Sequence, residues 1–200
     1  ASVALAGADG NYNVVVQVTD QAGNTLTTSR SITLDTTGPT IALSLPSPTN
    51  GTYYDVGATL TIGYNATDAS GVGTIVVKLD SAMLTGNVID LDTLAPGTHT
   101  IVITATDAAG NVSTKTVTFQ VRATIAGLIA AVNDGVAKGF ITAAEQTTLL
   151  ADLKSAQVGS SAHAKLPRFV SDVQSQSGKA ISAGYAALLV SWTNDLLSTL

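Results

Sequence analysis

Between Gly97 and Val121 apolar and polar residues alternate, with Ile101, Ile103 and Ala105 on one face and Val117, Phe119 and Val121 following a turn at Asp107-Ala-Ala-Gly-Asn111. A period of two marks half-buried strands, so this stretch predicts an antiparallel hairpin. Shifted by 87 residues, the same pattern fits residues 10–34, where Asp20, Ala22, Gly23 and Asn24 occupy the same turn positions. The chain therefore contains an internal repeat. Further strand-like runs at residues 40–45, 59–65, 74–79 and 88–91 are separated by turns rich in Pro, Gly, Asn and Asp. Six or seven short strands at this spacing predict a β-sandwich of about 100 residues.

From Ala123 the period changes to three and four. Ile125, Leu128, Ile129, Val132 and Val136 predict one helix ending near Lys138-Gly139. Thr142 with Glu145 predicts a capping box opening a second helix that carries Leu149, Leu150, Leu153 and Ala156. Leu166, Phe169, Val170 and Val173 predict a third, with Pro167 in its first turn or at a kink, and Ser182 is expected to cap a fourth carrying Tyr185, Leu188, Leu189, Trp192 and Leu196. Four helices with short connections predict a small bundle, with Trp192 in its core. The expected architecture is multidomain: terminal strands at residues 1–35, a complete sandwich at 36–122 and an all-α bundle at 123–200.

Charge divides at the same place. Up to Val121 nine acidic residues, all Asp, face three basic ones, whereas from Arg122 onward six basic residues face four Asp and Glu145. Thr divides likewise, with 23 of 29 before Arg122, as expected for a β-favouring residue. A pI near 4.6 with nine Lys+Arg leaves no basic surface for nucleic acid. The mean hydropathy of +0.34 comes from Ala and Val mixed with Thr, Ser and Gly, and no uninterrupted apolar run is long enough for a membrane span. With no Cys, disulfides, thiol nucleophiles and Cys-ligated zinc are excluded. The chain starts at Ala1 without a basic stretch leading into an apolar one, so any export signal is expected to have been removed or to lie outside this sequence.

The TDxAGN pattern at each hairpin, preceded by Val18 in the first and Ala105 in the second, with the Asp-Thr-Thr-Gly-Pro linker of residues 35–39, resembles the VTDxAGN type of bacterial immunoglobulin-like domains that occur in tandem on secreted and surface proteins. The resemblance covers residues 35–121 fully and 1–34 in part. Residues Gly139-Phe-Ile141, Leu149-Leu-Ala-Asp-Leu153, Leu166-Pro-Arg-Phe-Val170, Gln176-Ser-Gly-Lys-Ala-Ile181 and Ala186-Ala-Leu-Leu-Val190 resemble the FIMAH domain, departing from its pattern at Pro167 and Trp192. That helical module occurs near the C-termini of secreted bacterial proteins, often hydrolases, and has no established catalytic residues. The two resemblances together imply a secreted or cell-surface location and a spacer or adhesive role. Fold likeness by itself does not choose among such roles.

The first hairpin is incomplete as a domain. Val14, Val16, Val18, Ile32 and Leu34 would lie uncovered, and an isolated hairpin is marginal in water. Its missing strands are expected either upstream in the same polypeptide or from a neighbouring copy by strand addition.

An immunoglobulin-like topology brings the entering linker, the loop between the second and third strands and the last hairpin turn to one end. Asp35, Asp68, Asp107 and Asn111 are then expected to converge as oxygen donors for calcium, which takes six to eight such ligands. Asp20 and Asn24 would form the corresponding site of the first domain. Bound there, the ion would stiffen an interdomain linker. The other reading makes each Asp a turn residue bonded to its local backbone.

Catalytic signatures are lacking. No G-x-S-x-G, H-E-x-x-H or phosphate-loop motif occurs, and His99 and His163 fall in different domains. Asn133-Asp134-Gly135 resembles the centre of an EF-hand loop, but Ala130, Val132 and Ile141 would then occupy ligand positions they cannot fill. The expectation is a chain that is not an enzyme. The alternative to a spacer is a carbohydrate-binding accessory region, with Tyr53, Tyr54 and Tyr64 stacking on a cell-surface polysaccharide.

Overall fold

The computed structural model describes residues 5–157 and 162–200. Among them eleven strands precede four helices. The strands are β1 (Gly10–Thr19), β2 (Thr25–Leu34), β3 (Thr40–Ser44), β4 (Thr52–Asp55), β5 (Thr59–Thr61), β6 (Gly63–Thr67), β7 (Val72–Leu79), β8 (Ala82–Met83), β9 (Val88–Asp90), β10 (Gly97–Asp107) and β11 (Val112–Arg122). The helices are α1 (Ile125–Ala137), α2 (Ala143–Gln157), α3 (Ala162–Gln176) and α4 (Ala183–Thr199). One sheet has the order β4-β11-β10-β7-β8, while β3 pairs with β6, β5 with β9, and β1 with β2. A β-sandwich region is thus followed by a four-helix region, the layout expected from the two hydrophobic periods.

Several short elements differ from expectation. The run at 59–65 is two strands, because Ile62 N–H donates to Asn87 O at 2.7 Å and Gly63 N–H to Pro46 O at 2.9 Å, so the chain changes partner at that point. Strand β4 was not expected. It lies parallel to β11, with Thr52 opposite Phe119. Thr142 Oγ1 accepts only a long bond from Glu145 N–H at 3.4 Å, and Ser182 occupies the N-cap of α4 without a side-chain cap bond. Pro167 lies inside α3. Asn133 and Asp134 are helical, which agrees with rejecting a calcium loop at that position.

The chain divides into two compact units. One holds the described residues through Ala42 with Asn65–Val76 and Ile103–Lys115; the other holds Leu43–Tyr64, Val77–Val102 and Thr116–Leu200.

In the first unit β1 and β2 pair over their whole length, from Gly10 opposite Leu34 to Thr19 opposite Thr25. Linker residue Gly38 lies so close to the second hairpin that a Cβ there would sit 3.1 Å from the main chain of Val112.

In the second unit Ile62, Ile89, Leu91, Ile101 and Phe119 are buried in the β part, and Leu128, Leu149, Leu153, Leu166, Phe169 and Leu189 in the helical part. Glycines let the two parts approach closely. A Cβ on Gly127 of α1 would lie 2.6 Å from Val56 O. Lys138 reaches Asp90 at 2.6 Å and Asp92 at 3.3 Å, and Asp92 also accepts from Gly57 N–H at 2.8 Å. Burial pushes the Asp92 carboxyl above its ordinary range, partly offset by the Lys138 charge. Trp192 is fully buried and donates from Nε1 to Leu94 O at 2.8 Å, so it joins helix to sandwich as well as filling the bundle core.

Candidate metal centre

The Asp-x-Ala-Gly-Asn turn closes on itself. Asp107 Oδ1 accepts from Asn111 N–H and Oδ2 from Asn111 Nδ2, both at 2.8 Å, while Asp107 N–H donates to Asn111 O at 3.1 Å. The first hairpin repeats this arrangement: Asp20 accepts from Asn24 N–H and Nδ2 at 2.8 Å, and Asp20 N–H donates to Asn24 O at 2.9 Å. Gly110 and Gly23 take φ of +96° and +88°, the left-handed conformation that the turn requires and glycine alone adopts freely. The turn reading of these residues therefore describes their local bonding. It leaves open what the outward oxygens do.

The two turns differ in their surroundings. Asp20 and Asn24 are exposed, and Asp20 belongs to no group of three or more acidic or histidine side chains among the described residues. Asp107 is 5% exposed and meets Asp35 and Asp68, one carboxylate oxygen of each lying within 4.8 Å of the other two. Asp35 Oδ1 accepts from Thr37 N–H at 3.2 Å, and Asp68 Oδ1 from Ser70 N–H and Oγ at 2.8 Å. Asp35 Oδ2 is buried without a hydrogen-bond partner. Asn111 joins the group through its amide nitrogen, which also donates to Asp35 O at 3.1 Å and Thr37 O at 3.4 Å. Through that nitrogen it tethers the turn to the linker.

Electrostatics makes this grouping costly by itself. Burial opposes the charge on Asp107, yet the bonds from Asn111 and the turn amides outweigh it and hold the carboxyl below the usual range. No Lys, Arg or His forms an ion pair with Asp35, Asp68 or Asp107 among the described residues. Three hard carboxylates of like charge, with one oxygen of Asp35 left without a partner, suit a divalent cation of the calcium type. A cleft of ≈ 620 Å³ lined by Asp9, Thr33, Thr37, Thr67, Asp68 and Ser70 gives solvent access.

Asp9 was missed from the sequence. It accepts from Thr36 N–H at 2.8 Å, Thr36 Oγ1 at 2.7 Å and Thr37 Oγ1, so it clasps the linker as well. The Thr37 hydroxyl foremost, then Thr36, holds its carboxyl low. It lies outside the repeated turn, and no spacing marked it.

The tyrosines are dispersed. Tyr53 is 53% exposed beneath Arg122, 5.5 Å from the ring centroid, whereas Tyr54, the next residue on β4, packs edge-on to Phe119 at 6.1 Å. Tyr64 lies on β6, in another sheet. His99 is buried between Asp80 Oδ2 at 2.5 Å and Ala95 O at 2.8 Å, and His163 is exposed on α3.

A family model described as bacterial Ig-like domain (group 3) matches residues 5–86. The β region is immunoglobulin-like. The match begins ahead of β1, takes in the whole strand pair and the linker that carries Asp35, and ends before β10. A solved structure of Clostridium thermocellum CbhA fibronectin(III)-like modules is similar at 17% identity and a TM-score of 0.36, over 58% of this chain and 65% of that one. The chain thus spans less than two thirds of that structure. No curated protein matches the sequence. No helix among the described residues is long and apolar enough to cross a membrane.

Proposed function

We propose that this chain is a non-catalytic structural and adhesive module of a larger secreted or surface-attached bacterial protein, its linker stiffened by calcium held by Asp35, Asp68 and Asp107. The observation that carries this reading is the meeting of three carboxylates from three separate loops, one of which, Asp35, has a buried oxygen without a hydrogen-bond partner. Each loop has its own local bonds, so turn formation does not require them to meet. An ion would join the linker to the sandwich at the point where Asn111 already tethers it. Linker motion would then require breaking ionic as well as hydrogen bonds. The helices, whose sequence resembles the FIMAH module, form the C-terminal part of this module. Tyr54 packs against Phe119, and Tyr64 stands on a different sheet from Tyr53, so sugar stacking draws less support.

Isothermal titration of CaCl₂ into chelator-treated protein tests the proposal. One saturable site, lost in Asp35→Asn, is expected. No heat beyond dilution would overturn it.

A further inference from the structure

The two copies of the repeat share a fold but not a surrounding. Shifted by 87 residues, Val14, Val16 and Val18 correspond to Ile101, Ile103 and Ala105, and Ile32 to Phe119. Those four counterparts are 0% exposed, whereas Val16 is 50% and Val18 60% exposed. The register places Tyr12 opposite Ile32 and Val18 opposite Leu26, the latter 72% exposed, so the apolar positions form one face. A groove of ≈ 470 Å³ on this face is lined by Leu5, Val14, Val16, Thr28, Arg30 and Ile32. The edges differ as well. In the second copy β7 flanks β10 and β4 flanks β11, while β1 and β2 have no partner beyond each other among the described residues.

We infer that the β1–β2 hairpin closes an immunoglobulin-like sandwich whose other strands are supplied by the same polypeptide upstream of Ala1. Their chemistry follows from the second copy. They form an apolar sheet face equivalent to that of Leu60, Ile62, Ile89 and Leu91, an antiparallel strand beside β1 and a parallel one beside β2. Chain order identifies the source, because every strand that completes the second copy precedes its hairpin. A hairpin with two open edges and a wet apolar face is marginal in water, and this sheet would remove both liabilities. The inference does not depend on calcium.

Hydrogen exchange on two chains tests it: the present one, and one in which a duplicate of residues 36–96 is joined to Gly10 as the original is joined to Gly97. In the extended chain the amides of Val14, Val16 and Ile32 should exchange on the order of 100-fold more slowly, approaching those of β10 and β11. Val16→Asp should abolish this gain while leaving exchange in the 200-residue chain unchanged. Equal exchange in the two chains overturns the inference. Concentration-dependent protection with dimer sedimentation in the present chain also overturns it, in favour of a second copy as the cover. Should the extended chain fail to fold, the intact mass of the polypeptide from its source decides, since a mass matching a chain that starts at Ala1 refutes the inference.

Discussion

Asn111 Nδ2 donates to the main-chain oxygen of Asp35 at 3.1 Å, across 76 residues of sequence. The same nitrogen closes the turn on Asp107. One side chain therefore joins the last hairpin of the sandwich to the linker that enters it, while its repeat counterpart Asn24 closes only its own turn.

Asn111→Ala should cost more than Asn24→Ala. Loss of the first leaves a buried carboxylate and two linker carbonyls short of a donor, at about 1–3 kcal/mol. Loss of the second exposes Asp20 to water, at under about 1 kcal/mol. Urea midpoints of the two variants check this, and equal losses would contradict it.

Gly57→Ala should be more damaging than Gly23→Ala, although both positions have positive φ, +79° and +88°. At Gly23 nothing lies within 4 Å of an added Cβ, so only backbone strain of about 1 kcal/mol applies. At Gly57 the added atom would lie 2.5 Å from Ala130 Cβ and 2.8 Å from Gly127 O, forcing α1 away. A loss above about 2 kcal/mol by thermal unfolding is expected.

Trp192→Phe keeps most of the apolar bulk but deletes the bond to Leu94 O. The stranded carbonyl should cost about 1–3 kcal/mol, and Trp192→Ala about 3–5 kcal/mol. Because Leu94 and Trp192 belong to one compact unit, helix and strand signals in circular dichroism should shift together. Loss of the helical signal alone would contradict the joint.

Asp152→Asn should stabilise the protein at neutral pH. Burial foremost, then Asp172, pushes the Asp152 carboxyl above its ordinary value of 3.8, with Arg168 at 3.2 Å opposing, and Oδ2 is buried without a partner. The folded chain thus holds this proton more tightly than the unfolded one. The resulting stability is complete below the unfolded value and is lost as pH rises through the folded one. The amide does not titrate, so the variant should gain about 1 kcal/mol at pH 7 and nothing in acid. Urea midpoints at acid and neutral pH check this; a variant weaker at pH 7 would contradict it.

Much of the fold was legible because alternation and helical period are written in large apolar residues such as Ile101, Phe119, Leu149 and Leu166. Strand β4 was not, because two tyrosines between turn residues show no alternation. The contact face of α1 was hidden for a related reason. Gly127 and Gly135 make it by being small, and a search for apolar spacing passes over them. Asp35, Asp68 and Asp107 were legible from the topology that brings their loops together. The second role of Asn111 was not, since its donor and acceptor sides are equivalent until the linker is placed. The Lys138, Asp90 and Asp92 group depends on helix docking, which no local pattern encodes.

The most direct test of the central claim is the melting temperature of the whole chain in excess calcium and in excess chelator, beside Asp68→Asn. A ligand that binds only the folded state at 100 times its dissociation constant adds about 2.7 kcal/mol. The wild-type chain should therefore melt several degrees higher in calcium, and the variant should lose that difference without losing its fold. Identical melting of the wild-type chain in calcium and chelator would contradict the account.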